Sequence, residues 1–186
     1  MSNSQPLSSV LVEANSRRRW PTALLMATLV GLAGCTISMP FRYADSAARE
    51  QGGSETLIVS LTMAEYQPGW KSRRVFWRYV GQVEESLADS PGLVGHSLRR
   101  QIIGNRAWTM TVWKDESSLR AFAGSPAHQD AIRQALPTLE DVRFARVELP
   151  AHEIPISWEQ AEQLLETHGR RYPQRKTTLS SHQRSQ

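Results

Sequence analysis

Leu93–Trp113, LVGHSLRRQIIGNRAWTMTVW, is the stretch on which the fold turns. Leu93 to Ile103 reads as a strand with Gly95 inside it. Gly104-Asn105 is a tight connection, and Ala107 to Trp113 returns as the second member of a hairpin. Trp108, Met110 and Val112 alternate with Thr109 and Thr111, so they share one face of that strand. On the N-terminal side, Phe76, Tyr79, Val80, Val83 and Leu87 recur at helical spacing. They predict an amphipathic helix from a cap at Ser72 to about Asp89, ended by Pro91-Gly92. Thr56 to Met63 (TLIVSLTM) is β-branched and apolar and predicts a buried strand. Ala64 to Lys71, with Pro68-Gly69, predicts a loop. On the C-terminal side, Asp115 caps a short helix carrying Leu119 and Phe122. Ser125-Pro126 starts another, with Ala131, Ile132, Ala135 and Leu136 on its apolar face. Pro137 stops it, and Val142 to Leu149 is the last strand.

The order is β-α-β-β-α-β, a ferredoxin-like α+β fold over residues 55–150. Its helices cover one face of a four-stranded sheet. The other face is expected to be buried by a second copy, giving a homodimer. Residues 151–169 form a helical extension. Ser157-Trp158-Glu159-Gln160 is a capping box, Trp158, Ala161, Leu164, Leu165 and His168 line one face, and Gly169 ends the helix. Residues 170–186 are basic and predict a disordered tail.

The chain has 186 residues and a formal charge of +4, which invites a nucleic-acid reading. The charge is not spread evenly. Residues 36–168 carry 14 basic and 17 acidic side chains, so the positive excess lies at the two ends. No nucleic-acid partner is expected. One cysteine excludes an internal disulfide framework.

Arg17-Arg18-Arg19 precede Pro21 to Gly34, an uncharged run that spans about 21 Å as a helix, short for a bilayer crossing. The run ends Leu32-Ala33-Gly34-Cys35, which resembles a bacterial lipobox. Residues 1–34 are therefore expected to be a lipoprotein signal peptide, with Cys35 the lipidated residue. Residues 35–54 would follow it as a flexible tether. In lipoproteins an Asp after the cysteine often marks inner-membrane retention. Thr36 stands there, so the resemblance implies an outer-membrane anchor facing the periplasm. Ser16-Arg17-Arg18-Arg19-Trp20 also resembles a twin-arginine signal, and the export route stays open.

Thr111-Val112-Trp113-Lys114-Asp115, then Leu119-Arg120-Ala121-Phe122 and Ser125-Pro126-Ala127-His128, resemble the antibiotic-biosynthesis-monooxygenase-like superfamily of dimeric α+β barrels. Ser90-Pro91-Gly92-Leu93 also fits. Pro155 and Glu159-Gln160-Ala161 resemble an uncharacterised branch of it. The likeness covers about residues 56–169. It implies the fold, a homodimer and an oxygenase-type activity. Members include cofactor-free quinone-forming oxygenases and haem-degrading enzymes. The haem degraders use an Asn on the first strand, a Trp in the second helix and a His beyond it. The first strand here has no Asn, and Phe122 and Ile132 stand at the other two positions. These departures argue against haem degradation by that mechanism. No cofactor is expected, with haem and flavin left open.

His128 is the first catalytic candidate. It sits at a helix N-terminus, which favours the neutral imidazole a general base needs. The alternative is a core histidine bonded to a backbone carbonyl. His96, placed on a strand face with Val94 and Leu98, is expected to line a pocket opposite the helices. Trp77, Trp108, Trp113 and Phe122 are pocket candidates, the tryptophans forming a flat wall for a planar molecule, or else plain core. Arg99, Arg100 and Arg106 could meet an anion. No His-x-x-x-His pair occurs, so no metal is expected, and Gly95-His96-Ser97 lacks the second glycine of a nucleophile elbow. Two functions remain: a lipid-anchored, monooxygenase-like domain that binds or oxidises a small, aromatic or quinone-like molecule, or a non-catalytic periplasmic lipoprotein. The second would dock a partner on its Trp158 helix or open sheet.

Overall fold

A computed structural model describes residues 35–45 and 55–172. The signal-peptide reading of residues 1–34 lies outside them, as do 46–54 and 173–186. The elements are β1 (Thr36–Ser38), β2 (Arg42–Tyr43), β3 (Thr56–Tyr66), α1 (Trp70–Leu87), β4 (Leu93–Gln101), β5 (Arg106–Trp113), α2 (Glu116–Ala123), α3 (Pro126–Ala135), β6 (Leu139–Pro150), α4 (Trp158–His168) and β7 (Arg170–Arg171). The core is the β-α-β-β-α-β unit from β3 to β6, as the periodicity predicts. The sheet order is β1-β4-β5-β3-β6-β7, with β2 also on β4.

Several boundaries differ from expectation. β3 runs three residues past Met63, because Ala64 and Tyr66 keep the alternation and pack on α1. α1 begins at Trp70, and Gly69 (φ 116°) stands at its cap in place of Ser72. Downstream the local signals hold. The Asp115 carboxylate accepts from Ser118 N–H at 2.7 Å. Ser125 Oγ accepts from His128 N–H at 3.3 Å. At the start of α4 the reciprocal bonds of the capping box are both made.

β3 is the hub, hydrogen-bonded to β5 on one side and β6 on the other. Its odd residues, Leu57, Val59, Leu61 and Met63, point to one face. Its even residues, Ile58, Ser60, Thr62, Ala64 and Tyr66, point to the face under α1, α2 and α3.

The odd face corrects the expectation of an open sheet awaiting a second copy. Leu57, Val59 and Leu61 are almost completely buried within a single chain. Ile156, Ala161 and Leu165 of the C-terminal extension lie over them, with Trp158 and Leu164 packed alongside. Phe41 and Tyr43 cover the rest. Each such aliphatic side chain contributes about 1.5–3 kcal/mol when fully buried. That stabilisation is met inside the chain.

The tether reading of 35–54 is corrected for its described part. Thr36, Ile37 and Ser38 pair with Gln101, Arg100 and Arg99, and Arg42 and Tyr43 pair with His96 and Gly95. Gly95 makes this possible. A Cβ there would collide with the Phe41 ring and the Arg42 carbonyl. The expected tail also starts later than residue 170, since Arg170 and Arg171 pair with Phe144 and Arg143.

Arg99 ties these additions together. Its Nε donates to Thr36 Oγ1 at 2.9 Å, and its Nη1 lies 3.3 Å from Glu162 Oε1 on α4. Its guanidinium stands over the rings of Trp108 (5.8 Å) and Trp158 (6.0 Å).

Candidate functional site

Between the even face of the sheet and the three helices lies a cavity of about 410 Å³. The register explains it. One row across the four central strands reads His96, Thr111, Ser60 and Arg146. The next reads Leu98, Thr109, Thr62 and Phe144. The two middle strands thus contribute only short hydroxyl side chains to both rows. On the other face the same strands carry Val59, Leu61, Met110 and Val112. Small residues on one face of a sheet whose other face is large leave a hollow under the helices. Tyr79, Val80, Val83 and Glu84 of α1 form one wall. Phe122 of α2 and His128, Ala131 and Ile132 of α3 form the other.

His128 stands in the first turn of α3, fixed by the Ser125 cap and Pro126. Its ring lies 4.9 Å from that of Phe122, tilted by 50°. Its Nδ1 is buried with no protein hydrogen-bond partner. Burial pushes the His128 pKa below its ordinary value, keeping the ring neutral.

His96 lies on the helix side of the sheet, a correction to its expected place. An irregularity in the β4–β5 register between Leu93 and Gly95 separates it from Val94. Val94 joins the core beneath α4, while His96 faces the cavity with Leu98. Both His96 ring nitrogens are buried without a hydrogen bond. Glu84 Oε1 is 3.9 Å from Nε2, too far for a hydrogen bond but close enough for charge attraction. Arg42 Nη1 is 3.9 Å from the same oxygen. Burial lowers the His96 pKa most, the Glu84 charge pushes it back up, and Arg42 lowers it again; the net direction is down.

These two histidines give the fold an acid sensitivity with a definite sign. Their folded pKa values lie below the ordinary 6.5. As pH falls through 6.5 the unfolded chain takes up protons that the folded chain does not, and stability drops. Between about pH 7 and pH 5 the urea midpoint is expected to fall. His128→Asn should flatten that slope. A midpoint that rises over this interval would contradict the buried, neutral rings.

The tryptophan wall does not form. Phe122 lines the cavity, but Trp113 is completely buried behind it, 5.1 Å from the Phe122 ring, with Nε1 donating to Thr111 Oγ1 at 2.9 Å. Trp77 packs edge-on to Phe76 outside the lining. Trp108 lies on the opposite face, in the core beneath α4. The expected anion-binding arginines are engaged elsewhere. Arg99 spans to α4, Arg100 stands 5.6 Å over Trp77, and Arg106 pairs with Glu65 at 2.9 Å. The arginine of the cavity is Arg146, paired with Glu116 of α2. Sequence reasoning missed Arg146, Glu84 and Tyr79 as cavity residues. The strand hydroxyls were the available signal, since Ser60 and Thr62 interrupt one face of an otherwise apolar strand.

The polar groups lining this mainly apolar space include two imidazoles, the Glu84 carboxylate, the Arg146 guanidinium and the hydroxyls of Ser60, Thr62, Thr109, Thr111 and Tyr79. Neutral imidazole accepts a proton, and hydroxyls and N–H groups hold the oxygens of a small planar molecule.

Residues 63–134 match the family model for antibiotic biosynthesis monooxygenase. No curated protein matches the chain. Similar solved structures include a protein of Lactobacillus acidophilus described as a candidate monooxygenase, with 14% identity, covering 50% of this chain and 44% of that one at a TM-score of 0.45. A conserved protein of Methanosarcina mazei has 14% identity over 50% of this chain and 93% of its own, at a TM-score of 0.46. A Mycobacterium tuberculosis protein has 13% identity over 49% and 92%, at 0.45. The stretch 63–134, which is similar to that family, supplies both cavity histidines.

Proposed function

We propose that this chain is an exported protein, lipid-anchored through Cys35, whose monooxygenase-like domain binds and oxidises a small aromatic hydroxy compound of phenol or quinol type. The observation that carries the reading is the cavity beneath three helices, furnished with two half-buried imidazoles whose buried nitrogens, Nδ1 of His128 and both of His96, have no protein hydrogen-bond partner. Such groups find partners, and a ligand oxygen is a suitable one.

His128 takes the proton from the ring hydroxyl. The resulting phenolate is electron-rich and gives electrons to dioxygen, which is the oxidant. A phenol and one dioxygen yield a quinone and one water, and a quinol and one dioxygen yield a hydroxyquinone and one water, so atoms and electrons balance. His96, with Glu84 behind it, holds the second oxygen. The chain's own tasks are deprotonation, orientation and exclusion of water. The anchor rests on the Leu32-Ala33-Gly34-Cys35 motif and places the domain in the periplasm.

The non-catalytic alternative finds no support in either of its docking surfaces. The Trp158 helix packs on its own sheet, and the sheet face beneath it is covered.

Oxygen uptake by the purified full chain with naphthols and quinols tests the activity. His128→Gln should lower the initial rate by about 100-fold or more, the range of a general base. Far-ultraviolet circular dichroism should not change. Equal rates for the wild-type chain, His128→Gln and His96→Gln would remove the chemistry from this cavity.

A further inference from the structure

We infer that one end of the sheet, around Cys35, is a docking face for an anionic lipid bilayer. This rests on the anchoring reading for one point only, that Cys35 carries the lipid. No described residue separates Cys35 from the sheet. β1 begins at Thr36, and Ile102 N–H donates to the Cys35 carbonyl at 3.0 Å. A lipid held at Cys35 therefore brings the domain surface itself to the headgroups.

That surface has the composition a bilayer selects. Ile37, Ile102 and Ile103 are each more than half exposed and lie in β1 or in the β4–β5 turn that bonds to Cys35. Trp70, 67% exposed, belongs to the same end. Arg100 stacks on Trp77, which fixes the level of α1 against β4. Trp70 lies two turns before Trp77, about 10 Å further along the axis at 1.5 Å per residue. Ile102 and Ile103 pass Arg100 in the same direction. Tyr66 O–H, four residues before Trp70, donates to the Gly104 carbonyl in the turn (3.1 Å). Four of the six large apolar side chains exposed among the described residues thus gather here. The other two, Phe144 and Tyr172, line the cavity.

The charges agree. Lys71, Arg73 and Arg74 are exposed in the first turns of α1, and Lys71 lies 5.9 Å over the Trp70 ring. The nearby Glu65 is neutralised by Arg106. Basic residues beside an interfacial tryptophan and exposed isoleucines fit a headgroup layer, with cations at the phosphates and apolar groups below.

The full chain, produced with its own N-terminus and purified from membranes, is reconstituted in vesicles of phosphatidylethanolamine and phosphatidylglycerol with brominated acyl chains. Intact mass reads the acylation, and tryptophan quenching reads the docking. Wild-type emission should be quenched at least twofold more than that of Trp70→Phe. Ile102→Asp/Ile103→Asp should fall to the Trp70→Phe level with the same acylated mass and the same melting midpoint. An acylated chain quenched no more than Trp70→Phe overturns the docking face and leaves the anchor intact. Trp70 quenching without an acyl mass sustains the docking face and removes the anchor. Neither signal removes both.

Discussion

Ala161→Asp is expected to detach α4 and destabilise the fold by about 3–5 kcal/mol, the scale of an uncompensated charge in an apolar site. Ala161 is fully buried against the odd face of the sheet, at the centre of the contact with Leu57, Val59 and Leu61. An aspartate there is desolvated if α4 stays, and the sheet face opens if α4 leaves. Either route lowers the urea midpoint. The second exposes a continuous apolar surface that binds a hydrophobic dye and drives self-association. Urea unfolding, dye fluorescence and sedimentation measure the three effects. A variant with an unchanged midpoint, no dye binding and no association would show that α4 does not hold this face closed.

Ser60→Leu is expected to separate stability from binding. Ser60 lies on the central strand, between Thr111 and Arg146 in the polar row of the cavity floor. Leucine suits a strand and fills empty space, so the fold should gain about 0.5–2 kcal/mol, as cavity-filling substitutions commonly do. The same atoms occupy the room a ligand needs, and affinity for a naphthol probe should fall at least tenfold, about 1.4 kcal/mol. Calorimetric titration and thermal melting give the two numbers on one sample. Retained affinity with raised stability would place the ligand elsewhere.

Much of the fold was legible because its determinants are local. Asp115, Ser125-Pro126 and the Ser157–Gln160 box act within four residues, and the hairpin around Gly104-Asn105 needs only its own alternation. The α1 stripe of Phe76, Val80, Val83 and Leu87 was also plain, and it does face the sheet and cavity. What could not be read is what depends on distant partners. β1 and β2 have three and two residues, too few for a period, and they exist because β4 offers an edge. Gly95 was their only trace. The apolar face of α4 was visible, but whether it covers its own sheet or another molecule is a matter of chain path.

The site was half legible for a related reason. His128 was found because caps place it. His96 was found as a residue and put on the wrong face, since one irregular step between Leu93 and Gly95 reverses the side from there onward. The tryptophans drew attention by their size, yet parity sends Trp108 to the far face and packing hides Trp113. The cavity is marked by what is small, Ser60, Thr62, Thr109 and Thr111, and small residues acquire that meaning only once β3 and β5 are paired in register.

The central claim is that this cavity takes a hydroxyaromatic molecule and removes its proton. A naphthol whose neutral and anionic forms absorb at different wavelengths reads this directly. Titrated into the full chain at neutral pH, where the free compound is protonated, it should bind one to one and show the anion band. The band should weaken strongly in His128→Gln. Binding without the anion band, or an anion band unchanged in His128→Gln, would contradict the account.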